Sequence, residues 1–202
     1  FVPVKSTEQQ AVLSLHRLRE GLIESRTALV NRLRGVLAQF GLVVAAGRKR
    51  FEAELPRLLH EESDVPELLR GAIAALRDEL LECNRQIALI EGRLRAWHRS
   101  NEASRRAEAI PGVGMLTATA AVATLGGNAR VFDRGRQFAA WLGLTPREHS
   151  SGGKVRRFGI SKRGDSYLRK LLVHGARAVV RTHRPERNPW LTALLARRPK
   201  NV

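Results

Sequence analysis

LRGAIAALRDELLECNRQIALIEGRLRAW, residues 69–97, places an apolar residue at alternating steps of four and three: Leu69, Ile73, Leu76, Leu80, Cys83, Ile87, Ile90, Leu94 and Trp97. An average step of three and a half is the seam of a coiled coil or of a long antiparallel helix pair. Arg77, Asp78, Glu79, Arg85 and Arg93 fall on the other faces, as a partly solvated helix requires. Ser63-Asp64-Val65-Pro66 supplies a start signal, with Pro66 in the first turn. The seam fits a partner helix in the same chain and a second copy of the chain equally well, and periodicity does not choose between them. Cys83 lies on the seam and reads as core rather than as redox chemistry.

The chain upstream continues the helical reading. Ser6-Thr7-Glu8-Gln9 resembles a capping start, and Leu15, Leu18, Leu22, Leu29, Leu33, Val36, Leu37 and Phe40 recur at helical spacing up to Gly41. A short helix is expected over 51–60. Residues 1–100 are thus expected to form a helical, coiled-coil linker and dimerisation segment, and residues 101–202 a separate, smaller domain. The fold class is mainly α: a long two-helix segment, then a small helical domain with a helix-hairpin-helix and a short basic loop or hairpin.

Charge divides the same way. The 202 residues carry a formal +17, of which residues 1–100 account for +3 and residues 101–202 for +14. So strong a cationic excess calls for a polyanion, with nucleic acid ahead of an anionic membrane. Aromatic residues make up only 5%, so the core must be aliphatic. One cysteine allows no disulfide framework and no thiolate zinc site. His16, His60, His98, His149, His174 and His183 lack metal-ligand spacing, so no metal is expected in this chain. No apolar run is long enough to span a bilayer and no signal-peptide pattern is present, which points to a cytoplasmic, reducing setting and no membrane partner. Beginning at Phe1, the chain reads as a piece of a longer protein.

In the second half, IPGVGMLTATAAVATLG (110–126) follows the helical SNEASRRAEA with the turn Pro111-Gly112-Val113-Gly114. Helix, glycine turn, helix is the pattern of a helix-hairpin-helix, in which Gly112, Val113 and Gly114 bring backbone N–H groups to a phosphate. The plainer alternative is a corner where glycine permits close packing. FDRGRQFAAWLGLTPRE (132–148) reads as a short helix with Trp141 as core anchor, closed by Gly143. Then comes HSSGGKVRRFGISKRGDSYLRKLL (149–172): a serine-glycine loop, a short strand or hairpin arm in KVRRFGI, and a helix capped by Asp165. Leu168, Leu171, Leu172, Ala176 and Val179 are its expected buried face, and a last short helix lies around 190–195.

Arg147, Lys154, Arg156, Arg157, Lys162, Arg163 and Arg169 are candidate phosphate contacts. On residue types alone, Ser150 and Ser151 belong to a phosphate-contacting loop. A serine hydroxyl can attack a phosphodiester when cations stabilise the transition state and a base takes the proton. His149 is a candidate for that base.

Together, IPGVGMLTATAAVATLGG, FDRGRQFAAWLGLTPRE and HSSGGKVRRFGISKRGDSYLRKLLVHGARAVV resemble the C-terminal transposase domain of DEDD-type insertion-sequence transposases, the Piv/MooV-like recombinases. The opening FVPVKSTEQQAVLSLHRLREGLIESRTALVNRLRG resembles the segment after that family's catalytic N-terminal domain. The resemblance implies a DNA partner, in some members a structured guide RNA, and a homo-oligomer through the coiled coil. It also implies a catalytic serine directly before a glycine, which is Ser151, with Ser150 the fallback. The family's acidic tetrad would precede residue 1, so Mg²⁺ is expected only with that preceding domain. The competing readings are a non-catalytic helix-hairpin-helix nucleic-acid-binding protein and a coiled-coil assembly protein.

Overall fold

The computed structural model describes residues 4–60, 64–126 and 131–198. The chain divides into two compact units, residues 14–93 and residues 1–13 with 94–202. It is mainly helical, as the seam predicts.

Three helices build the unit of residues 14–93: α1 (Thr7–Ala38), α2 (Arg48–Leu58) and α3 (Glu67–Ser100). Ser6 starts α1 with a reciprocal cap, its Oγ accepting from the Gln9 amide at 3.2 Å and its own amide donating to Gln9 Oε1 at 2.9 Å. Gly41, at φ 76°, follows its last turn. Pro66 sits directly before α3, while Ser63 of the expected start lies outside the described residues.

The α3 seam is filled within the chain. Ile73, Leu80 and Cys83 join Leu29, Val30, Leu33 and Leu37 of α1 and Phe51, Leu55 and Leu58 of α2 in one buried cluster. The face of α1 differs from the one expected: Leu18 is 60% exposed and Phe40 43%. The inward stripe runs instead through Val12, His16, Arg19, Ile23, Arg26, Val30, Leu33 and Leu37, all buried or half-buried and all spaced by four and three. This heptad was hidden because three of its positions are polar.

Arg19 and Arg26 have partners on α3, although Arg26 Nε itself makes no hydrogen bond. Arg19 Nη2 lies 2.7 Å from Glu91 Oε1. Arg26 Nη1 donates to Asn84 Oδ1 at 3.2 Å, Asn84 Nδ2 to Glu52 Oε1 at 3.0 Å, and Arg48 Nη1 to the same carboxylate at 2.8 Å. Burial raises the Glu52 pKa, but hydrogen bonds from Asn84 and Arg48 and the charges of Arg48 and Arg26 outweigh it and hold it below the ordinary value.

The other unit is organised around α5 (Met115–Leu125), whose Thr117, Ala118, Thr119, Ala120, Val122, Ala123 and Thr124 are all buried. Small side chains let α4 (Glu102–Glu108) and α7 (Ser166–Arg181) pack on it. The buried Thr119 hydroxyl donates back to the Met115 carbonyl at 2.9 Å, which satisfies it inside the helix. At the end of α3, His98 joins the corner to α4: Nδ1 lies 2.8 Å from Ser104 Oγ and Nε2 2.9 Å from Glu108 Oε2. Asn101 caps α4 through the Ser104 amide.

After α6 (Gly135–Trp141) come β1 (Pro146–Glu148) and β2 (Arg157–Ile160), paired antiparallel. Ala120, Leu142 and Leu168 form the core under this region, with Phe138, Trp141, Tyr167, Leu171 and Leu172 packed around them. Trp141 is the expected anchor, stacked on Phe138 with ring centroids 5.9 Å apart. Asp165 caps α7, its Oδ1 accepting from the Leu168 amide at 2.8 Å. Ala176, expected on the buried face of α7, is exposed. A 3-10 turn (Pro185–Arg187) leads into α8 (Pro189–Arg197). Among the described residues no helix is long and apolar enough to cross a membrane.

Candidate nucleic-acid interface

The stretch expected to be a basic loop or hairpin is a two-residue hairpin. Ser151 and Lys154 pair across Gly152 and Gly153, with the Lys154 amide donating to the Ser151 carbonyl at 3.0 Å and the Ser151 amide to the Lys154 carbonyl at 3.3 Å. Both glycines have positive φ, 58° and 76°. That is the backbone of a type I′ turn, which matches the twist of the two arms and which L side chains resist. His149 N continues the ladder to Arg156 O at 3.0 Å, and Glu148 pairs with Arg157. A one-residue bulge separates this register from the Pro146–Ile160 pair, with the extra residue on β2.

Period-two alternation then sorts the side chains. Directly paired residues share a face, so Ser151, Lys154, His149, Arg156 and Arg147 point to one side and Ser150, Glu148, Val155 and Arg157 to the other. The contacts agree: the His149 and Phe158 rings meet edge to face at 5.5 Å. On the opposite side Ser150 Oγ donates to Glu148 Oε1 at 2.6 Å, and Arg157 Nε lies 4.0 Å from Glu148 Oε2. The Ser150 face therefore holds one cation and one carboxylate. The Ser151 face holds three cations and no acid, and all of its side chains are exposed.

The base of the hairpin is built by close backbone approach. A Cβ on Gly143 would sit 2.0 Å from the Arg163 carbonyl oxygen, and one on Gly164 would sit 2.1 Å from the Trp141 carbonyl oxygen. Both glycines have positive φ, so only glycine suits either position. Lys162 N donates to the Gly143 carbonyl at 3.0 Å and adopts φ 56° itself. Beside this base lies an open groove of about 390 Å³ lined by Thr145, Arg147, Glu148, His149 and Arg163 among others.

The phosphate-contact candidates fall into different settings. Arg147, Lys154, Arg156 and the base residues Lys162 and Arg163 are exposed on or beside the hairpin. Arg157 is drawn toward Glu148. Arg169 is half-buried, and its Nη1 donates to the Leu142 carbonyl at 2.9 Å and to the Arg163 carbonyl at 3.4 Å, tying α7 to the hairpin base. In the 110–114 turn, Gly112 (φ 84°) is pressed against α7: a Cβ there would lie 2.9 Å from the Gly175 carbonyl oxygen, and one on Gly175 would lie 1.9 Å from the Gly112 carbonyl oxygen. The packing role weighed for this glycine is therefore present. Gly114 is exposed at the N-cap of α5 with open space around it, and Val113 is half-buried.

Sequence reasoning passed over Glu148, the partner of Ser150, and Gly175. The Gly-Gly pair inside HSSGGKVRRF was the available sign of the hairpin, and alternation along its arms would have placed Glu148 beside Ser150. Gly175, inside a helix with ordinary dihedrals, left no comparable sign. Among the described residues no three His, Cys, Asp or Glu side chains gather as a metal-ligand set. These residues do not fit a Mg²⁺ site.

Residues 104–191, which contain the glycine turn, the hairpin and the capped α7, match the model of the Transposase IS116/IS110/IS902 family. This stretch of the chain is similar to the IS116/IS110/IS902 transposase family. Over its whole length it is 48% identical to a protein of Pseudomonas aeruginosa described as a probable family 20 transposase, covering 61% of that protein. It is 43% identical to the transposase for insertion sequence element IS1111A of Coxiella burnetii, covering 56%, and 34% identical to that for IS1328 of Yersinia enterocolitica, covering 60%. The chain thus spans between 56% and 61% of the length of these three transposases.

Proposed function

We propose that this chain is the DNA-holding portion of an insertion-sequence transposase and that its hairpin presents Ser151 to a DNA phosphodiester. The observation that carries the reading is the asymmetry of the hairpin: Ser151 shares its face with Arg147, Lys154 and Arg156, while Ser150 faces Glu148. A phosphate is drawn to the uncompensated cationic side and kept from the side that carries a carboxylate.

In the reaction, the Ser151 hydroxyl oxygen bonds to phosphorus and one sugar–oxygen bond to that phosphorus breaks. The serine proton passes to a base, and the departing sugar oxygen takes up a proton. The result is a phosphoserine ester that conserves the diester for rejoining. Three cations on one face suit the added negative charge of the five-coordinate transition state. His149 stands on the same face and is the proton acceptor this chain can offer. Lys162, Arg163 and the exposed Gly114 turn extend the phosphate-binding surface, and Arg169 acts as a positioning residue for the hairpin base.

The partner is DNA, and a structured RNA would meet the same cations. A second copy of the chain would have to dock elsewhere than on the α3 seam, because that seam is filled; the half-exposed Leu81 and Leu89 on the outer side of α3 are the residues available. Acidic metal-binding groups would come from outside this chain.

Salt dependence of DNA binding tests the reading. Each phosphate neutralised contributes roughly 0.9 to the slope of log affinity against log salt. Replacing Arg147, Lys154 and Arg156 together by Gln is expected to lower that slope by about three, whereas Arg157→Gln changes it little. Equal slopes for the triple variant and the native chain would remove the hairpin from the interface.

A further inference from the structure

We infer that Trp190, together with Arg197, forms a second nucleic-acid contact: a stacking platform for an unpaired base. The inference rests on the DNA-binding reading above but uses none of the hairpin residues. Trp190 is 69% exposed, an unusual state for an indole in a chain with only three tryptophans. The other two are engaged internally, Trp97 through its Nε1 hydrogen bond to Glu8 and Trp141 through its stack on Phe138.

The exposure of Trp190 is set by the way α8 is anchored. Asn188 Oδ1 caps the helix through the Leu191 amide at 3.0 Å, and Leu191 is buried. On the same side, Thr192 Oγ1 lies 3.0 Å from His183 Nε2 and reaches the Pro185 carbonyl at 3.3 Å. With Leu191 and Thr192 held inward, Trp190 is turned outward.

Along α8, positions three and seven residues beyond Trp190 share its face. They are Ala193 and Arg197, both exposed. Arg197 folds back over that face, its Nε donating to the Ala193 carbonyl at 3.3 Å. Ala193, the residue between Trp190 and Arg197 on that face, is small and exposed, so it leaves the indole open to solvent.

Charge supplies the choice of partner. Exposed Arg181, Arg184, Arg197 and Arg198 lie in α8 or close to it along the chain, and Glu186 is the one acid between residues 181 and 198. An indole beside an arginine in a cationic field is the combination that holds single-stranded nucleic acid, with the base on the ring and the phosphate on the guanidinium. A base inside a duplex has no free face to offer, so the site selects unpaired nucleotides.

The experiment titrates the 202-residue chain with an oligo(dT) strand of about 20 nucleotides and with a duplex of the same length, following tryptophan emission and affinity. The native chain is expected to be quenched by the single strand. Trp190→Ala is expected to lose that quenching and to bind the single strand roughly tenfold to a hundredfold more weakly, with duplex affinity and salt slope unchanged. Trp190→Phe is expected to retain most of the single-strand affinity, and unchanged melting of both variants confirms that they fold. Native-like single-strand binding by Trp190→Ala, or an equal loss on both DNAs, would overturn the platform while leaving the hairpin reading intact. Failure of the native chain to bind either DNA would remove both.

Discussion

His16, buried on the inner face of α1 at 1% exposure, has its imidazole pKa lowered from 6.5 to about 4, first by burial and then by the neighbouring Arg19 charge. The unfolded chain therefore binds a proton between those values and the folded chain does not. Stability from this group is present above pH 6.5 and is lost as pH falls toward 4, by up to about 3 kcal/mol. Thermal melts across that window are expected to show the loss, and His16→Gln to flatten it. Glu52 acts lower: its depressed pKa gives stability that is lost only below the ordinary carboxylate range. At the Gly112–Gly175 crossing the expectation is steric. Gly175→Ala puts a methyl on the Gly112 carbonyl, and melting is expected to report a loss of about 2 kcal/mol or more. Close packing at Gly112 was legible as an alternative, but the burial of His16 and the role of Gly175 were not, because a buried histidine and a packing glycine in mid-helix look like any others until a neighbour is known.

At the scale of elements, apolar spacing carried much of the reading. The α3 seam, the Asp165 cap and the Ser6 start all follow from local chemistry, and local chemistry is what a linear pattern records. The stripe of α1 was misread because His16, Arg19 and Arg26 occupy inward positions, where burial is made tolerable by partners distant in sequence such as Glu91 and Asn84. Leu18 looked like core and is solvent-facing for the same reason. The hairpin was half legible: the β2 arm was expected, while β1 was hidden in the stretch after Gly143, which was read only as the close of the short helix. Its turn makes a direct prediction. Replacing Gly152 and Gly153 by alanine forces two L residues into left-handed backbone at about 1–2 kcal/mol each. The helical melt is expected to stay unchanged while duplex DNA affinity falls, as binding and circular dichroism measured on the same sample would show.

For the whole molecule, the division of charge matches a division of labour. Residues 1–100 carry +3 and are spent on helix packing, whereas residues 101–202 carry +14 and hold the hairpin, the glycine turn and α8. Sequence alone led to a nucleic-acid partner and, through the family resemblance, to Ser151 with Ser150 as the fallback, but not to the face each serine occupies, since one residue's difference in register puts a side chain on the opposite face of a strand. The hairpin register assigns Ser151 to the cationic side and Ser150 to Glu148. The most direct test joins the chain to the acidic metal-binding domain that the reading places outside it, supplies transposon-end DNA, and maps any covalent protein–DNA adduct by peptide mass spectrometry. The account predicts an adduct on Ser151 that is lost in Ser151→Ala and persists in Ser150→Ala. An adduct on Ser150, or one that survives Ser151→Ala, would contradict it.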